Sequence, residues 1–106
     1  MDDKRWIVDS GASRHMTGIR DVFLSISETG PNQYIKREGE AILAVRGVGS
    51  VRFQLESGEL LVVNGVLFVP GLKVNLLSVS AMEDDGYTAL FKRGHVFIYP
   101  LRVGPI

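Results

Sequence analysis

Residues 51–69, VRFQLESGELLVVNGVLFV, constrain the fold more than any other stretch of this chain. Val51, Phe53 and Leu55 alternate with polar neighbours, which is the period of a half-buried strand and not of a helix. A turn at Ser57-Gly58 returns the chain into a second apolar run, which Pro70-Gly71 ends. Asn64-Gly65, inside that run, is either a two-residue hairpin turn or a bulge in one longer strand. Its two apolar pieces, LLVV and VLFV, are core or interface strands. A sheet has to be built around this pair.

The rest of the chain is punctuated in the same way. Residues 5–8 read as a short buried strand, and residues 33–36 and 41–45 as two extended pieces. The polar REGE at residues 37–40 separates those two, which predicts a hairpin with Gly39 exposed at its tip. In KVNLLSVSAMEDDGY, Val74, Leu76 and Leu77 begin as strand. Ser78 or Ser80 then caps a short helix that runs through Asp85 and stops at Gly86. Asp21 stands where a helix N-cap would, and Asp84 and Asp85 at a solvated helix end. TALFKRGHVFIYPL predicts two strands joined through residues 92–94. The expected class is all-β with one short helix, as a single domain over residues 1–106. A core of that size is modest, so oligomerisation is the expected source of further stability.

Composition removes whole classes of function. Twelve basic residues balance twelve acidic ones without a basic tract, so no direct nucleic-acid binding is expected. The absence of cysteine excludes disulfides, thiol chemistry and cysteine-based zinc sites. His15 and His95 lie far apart with no ligand spacing, so no metal and no cofactor are expected. No apolar run approaches the roughly 18 residues that span a bilayer, and MDDKRW lacks the apolar core of a signal peptide. The expected setting is cytoplasmic, without a membrane partner. Met1 stands so close to the first motif that the chain reads as a piece of a longer one. Lys4-Arg5 and Lys92-Arg93 read as solvated charge pairs, and His95 as a strand surface residue.

The chemistry concentrates in WIVDSGASRHMTG, residues 6–18. An Asp after a strand ordinarily caps a turn or a helix. Here Trp6-Ile7-Val8 drives Asp9 in against a core, where desolvation acts on a carboxyl group. Gly11 permits backbone conformations closed to other residues and close approach by another chain, and Ser10 supplies a hydroxyl. That makes Asp9 a candidate acid/base. No second DSG or DTG exists, so a two-carboxylate mechanism needs a second copy, with Asp9 beside a two-fold axis. A serine nucleophile assembled from Ser10, Ser13 and His15 lacks an oxyanion motif such as G-x-S-x-G, and His15-Met16 is better read as packing or capping the turn.

VDSGAS resembles the active-site signature of retroviral-type aspartic proteases. The longer WIVDSGASRHMTG, together with VLFVPGLKVNLLSVSAMEDDGY, is similar to the protease region of copia-type retrotransposon polyproteins, from about Trp6 to Ile98. In that family NLLSVSAM corresponds to the apolar strand, small residue and helix that support the catalytic loop. The family usually has Gly after the two apolar residues; Ser78 stands there, as is common in the copia-type branch. The resemblance implies a retropepsin-like closed β fold acting as a symmetric homodimer, an aspartic endopeptidase with one catalytic Asp9 per subunit. Ser10 and Gly11 would support the active-site loop. Gly11, Ala12, Ser13, Gly39, Glu40, Ala41, Leu76 and Leu77 would contact peptide, and Val79 would share the pocket and core roles of the two leucines. The implied substrate is the element's own polyprotein, inside virus-like particles in the cytoplasm. The flap over the substrate should be residues 36–42 or residues 46–50; the first is preferred by its position between the two motifs, although the second has the glycine content of a typical flap. A domesticated, non-catalytic dimerisation or peptide-binding module is the alternative, and the intact Asp9-Ser10-Gly11 speaks against it.

Overall fold

The computed structural model describes residues 5–100. Its elements are β1 (Trp6–Asp9), β2 (Met16–Thr17), β3 (Phe23–Glu28), β4 (Tyr34–Lys36), β5 (Ile42–Ala44), β6 (Gly47–Gln54), β7 (Leu60–Phe68), β8 (Asn75–Ser78), α1 (Val79–Asp84), β9 (Tyr87–Lys92) and β10 (His95–Pro100). Six strands form one sheet in the order β1-β8-β2-β7-β6-β3, while β4-β5 and β9-β10 are separate two-stranded ladders. The chain is mainly β with one short helix, but the expected closure is not found. The main sheet ends on β1 and β3, because the segments that would have to continue it, β4-β5 and β9-β10, pair with themselves.

β6 and β7 are the long antiparallel pair that the alternation predicts, with β6 starting four residues earlier than expected, at Gly47. Asn64-Gly65 is a bulge and not a turn. The strand runs through it, Gly65 takes φ +69°, and the ladder slips between Gly49 and Val51. The extra residue changes the parity of β7, so that Leu61, Val63 and Val66 reach one core cluster and Leu67 and Val69 the other. Leu77 joins the first and Leu76 the second, as alternation in β8 requires.

These clusters lie on opposite faces of the sheet. On the first, Met82 of α1 is buried, and Tyr87 and Ile98 of the β9-β10 hairpin pack beside Trp6, Phe53 and Val8. Trp6 meets Phe53 edge to face with centroids 4.9 Å apart. On the second, Ile35 and Leu43 of the β4-β5 hairpin pack over Met16, Val45, Leu67, Val69 and Leu76. Each face of a central sheet thus receives one small hairpin.

Two strands were not legible. β2 has two residues and exists only through its partners, parallel to β7 and antiparallel to β8. β3 carries Ser25 and Ser27 and lies on an edge, so its hydrophobic signal is diluted. Asp21 does not cap a helix: it sits inside a 3-10 turn, Arg20–Val22, whose N-cap position is Ile19 without a side-chain bond. The expected solvated pair Lys4-Arg5 falls partly outside the described residues.

Candidate active-site loop

β1 and β2 are consecutive in sequence, yet β8 lies between them. β1 runs parallel to β8 and β2 antiparallel to it, so the five-residue link SGASR plus His15 must arch over the end of β8. Asp9 opens that arch and is in register with Ser78. The topology, and not any single bond, places the carboxylate beside the first residue of the strand-to-helix junction.

Within the arch, the Gly11 N–H donates to Asp9 Oδ1 at 2.7 Å, and Ala12 N–H to the Asp9 carbonyl at 3.4 Å. A Cβ on Gly11 would sit 3.3 Å from that same carboxylate oxygen, so glycine keeps the donor close without crowding it. An Asp bonding the backbone two residues on is also ordinary turn chemistry and assigns no catalysis alone. Asp9 is half-buried, while Ser10, Gly11 and Ser13 are exposed. Alternation along β1 sends Trp6 and Val8 to the first core face, which sets Ile7 and Asp9 toward the face covered by β4-β5.

The far side of the arch is pinned from below. Ser78 is fully buried; its Oγ donates to the Ala12 carbonyl at 2.6 Å and accepts from Ala81 N–H at 3.1 Å as the N-cap of α1. Its N–H donates to His15 Nδ1 at 2.9 Å. His15 is 3% exposed, and burial, reinforced by the neighbouring Arg14 cation and opposed by Asp85, lowers its pKa below 6.5. At the other end of β8, Thr17 Oγ1 donates to Asn75 Oδ1 at 2.6 Å, and Asn75 Nδ2 to the Arg5 carbonyl at 2.9 Å. Among the described residues no buried side-chain polar atom lacks a partner.

The other residues named from the sequence are distributed less compactly. Gly39, Glu40 and Ala41 form the tip of the β4-β5 hairpin, with Gly39 at φ +74°; Lys36 Nζ ties the tip by donating to the Glu40 carbonyl at 2.6 Å. The tip lines a cavity of about 210 Å³ with Leu43, Gly71 and Lys73, and no residue of the Asp9 loop lines it. Of the two flap candidates, the second, residues 46–50, lies within β6 from Gly47 onward, paired to β3 on one side and β7 on the other, so only the first is a hairpin. Leu76 and Leu77 are 5% and 4% exposed, one in each core cluster, so within one chain both side chains are committed to the core. A larger groove of about 470 Å³ lies between the β6-β7 turn and β10, apart from the loop. No cluster of three possible metal-ligating side chains occurs among the described residues. Among the described residues no helix is long and apolar enough to cross a membrane. Reasoning from sequence missed the Ser78–Ala12 tie; its one signal was a hydroxyl where a glycine is usual.

The family model "Pol polyprotein, beta-barrel domain" matches residues 6–87, from the first residue of β1 to the first of β9. The chain belongs to that family. This Pol β-barrel domain is also 33% identical, over 89 residues, to the retrovirus-related Pol polyprotein from transposon TNT 1-94 of Nicotiana tabacum. The match covers 84% of this chain and 7% of that polyprotein, so the chain spans a small part of its relative's length. No solved structure matches. The domain is thus a region of a retrotransposon Pol polyprotein, and despite the family's description its main sheet is open.

Proposed function

We propose that this Pol domain is an aspartic endopeptidase, active as a homodimer that contributes one Asp9 per subunit. The observation that carries the reading is the arch itself. A half-buried carboxylate stands at the mouth of an exposed Ser-Gly loop, held by the Gly11 N–H and braced on Ser78. Ile7, 51% exposed on the edge strand beside it, and the exposed Ser10 and Gly11 offer a surface for a second copy on a two-fold axis.

In such a dimer two carboxylates a few Å apart cannot both ionise cheaply, so they share a proton. The ionised Asp9 takes a proton from a water between them as the water oxygen bonds to the scissile carbonyl carbon. Asp9 of the partner subunit gives its proton to the carbonyl oxygen, producing a gem-diol. Collapse breaks the C–N bond, returns a proton to the leaving amine and restores one charged and one protonated carboxyl. General acid–base help of this kind supplies about 10²–10⁴-fold, and positioning with water exclusion the rest. Ser10 would bond across the axis, and Gly11, Ala12 and Ser13 would meet an extended peptide as an added strand does. The β4-β5 hairpin is the segment suited to cover it, with Gly39, Glu40 and Ala41 at its tip. Leu76 and Leu77 would shape the site by holding the loop from the core. The substrate we assign is the element's own polyprotein, cut in the cytoplasm within virus-like particles.

Cleavage of a peptide library tests this. Activity is expected in the wild type, lost in Asp9→Asn and blocked by a pepstatin-like inhibitor. A well-folded wild-type chain without cleavage at any pH would favour a non-catalytic module on the same fold.

A further inference from the structure

The arch over β8 has an acid-sensitive support. His15 Nδ1 accepts the Ser78 N–H at 2.9 Å, which requires the neutral imidazole with its proton on Nε2. A doubly protonated ring would set Nδ1–H against that N–H, donor against donor, inside a site that is 3% exposed. The consequence reaches Asp9 through few atoms. Ser78 carries the Ala12 carbonyl on its hydroxyl, Ala12 closes the turn on the Asp9 carbonyl, and Asp9 is in register with Ser78. From its own carbonyl, His15 also accepts Leu67 N–H at 2.9 Å, so its backbone is fixed against β7.

We propose that His15 is a positioning residue for the Asp9 loop, competent only as the neutral imidazole, so that the loop loses its geometry when His15 takes a proton. The charges around it are few. Arg14 on the loop opposes protonation and Asp85 after α1 favours it, while β2, β7 and β8 carry no ionisable side chain and Glu83 and Asp84 on α1 are exposed. Burial outweighs Asp85, which keeps the support intact into mildly acidic solution. This inference rests on the protease reading for its catalytic consequence. The acid limb of the activity profile then belongs to His15 as well as to the carboxylate pair.

Two readouts on the 106-residue chain separate the inference from that reading. The first is the Ser78 amide by NMR, with its exchange rate at one fixed pH and its shift across a titration. The second is kcat/KM against pH. His15→Asn keeps an acceptor near the position of Nδ1 without titrating, and His15→Phe removes it. In the wild type the Ser78 amide is expected to titrate with the His15 ring. In His15→Asn it should stay protected and stop titrating, and the acid limb should move about half a pH unit or more lower. In His15→Phe its exchange should rise roughly tenfold or more. An acid limb unmoved in His15→Asn, or Ser78 protection unchanged in His15→Phe, overturns the inference. If the wild type never cleaves, the protease reading falls, and the Ser78 titration alone decides whether His15 supports the loop.

Discussion

Ser78 and His15 are polar side chains placed in a small apolar core, and both direct hydrogen bonds at one loop. Ser78→Ala removes a helix cap and leaves the Ala12 carbonyl with only the long 3.5 Å bond from Ser80 Oγ, so it should lower unfolding free energy by about 1–3 kcal/mol. Urea denaturation checks this, and a loss within error of zero would mean that water replaces the hydroxyl. His15 adds a pH dependence. Its folded pKa is lowered, so below 6.5 the unfolded chain takes up a proton that the folded chain resists. The stabilisation from its neutral form is therefore full above 6.5 and is lost as pH falls below that value toward the folded pKa. The stability difference between wild type and His15→Asn should be flat above neutrality and move against the wild type on acidification; a difference independent of pH would contradict this. The cap at Ser78 was legible because it follows from local chemistry. The packing of His15-Met16 was legible as burial but without its partners, Ser78 and Leu67, which lie far away in sequence. The tie from Ser78 to Ala12 was not, since it joins residues 66 apart that only the strand order brings together.

Among the elements, β4-β5 and β6 give the sharpest contrast, because each contains a glycine with a different reason to be one. Gly39 has φ +74° and open space where a side chain would stand, so Gly39→Val strains the backbone by about 1–2 kcal/mol and touches nothing else. At Gly47 a Cβ would lie 2.9 Å from the Ser27 carbonyl oxygen and 3.0 Å from Ile26 Cδ1, so Gly47→Val must push β3 away from β6. Thermal melts should show Gly47→Val far less stable than Gly39→Val, and kcat/KM should fall in Gly39→Val with the fold retained. Equal melting points would place the two glycines in equivalent surroundings, against the strand pairing. Both hairpins, the β6-β7 pair and α1 with its cap and stop were legible, because period and turn residues specify them within a few positions. The choice between bulge and turn at Asn64-Gly65 was not, since both use the same residues and only the register against β6 distinguishes them. β2 and the edge strand β3 were hidden for the related reason that pairing, and not composition, makes them strands.

At the scale of the molecule, the sheet stays open and leaves apolar side chains in solvent. Ile7 and Leu24 lie on its edge strands, and Leu90, Phe91, Phe97 and Tyr99 on the β9-β10 ribbon, while the zero net charge offers no long-range repulsion between copies. The class, mainly β with one helix, followed from the sequence, and so did the membership of a Pol polyprotein. Closure of the sheet did not follow, because it depends on whether the two small hairpins join the main ladder or pair alone. The pairing of copies lies beyond a single chain's local signals altogether, and it is where the proposed chemistry is decided. Mixing wild-type chain with Asp9→Asn chain at constant total concentration, after subunit exchange, measures it directly. If each active site takes one Asp9 from each subunit, an equal mixture should retain about one quarter of the wild-type cleavage rate, since only dimers with two wild-type chains work. Retention of about one half, the result for chains that each hold a complete site, would contradict the account.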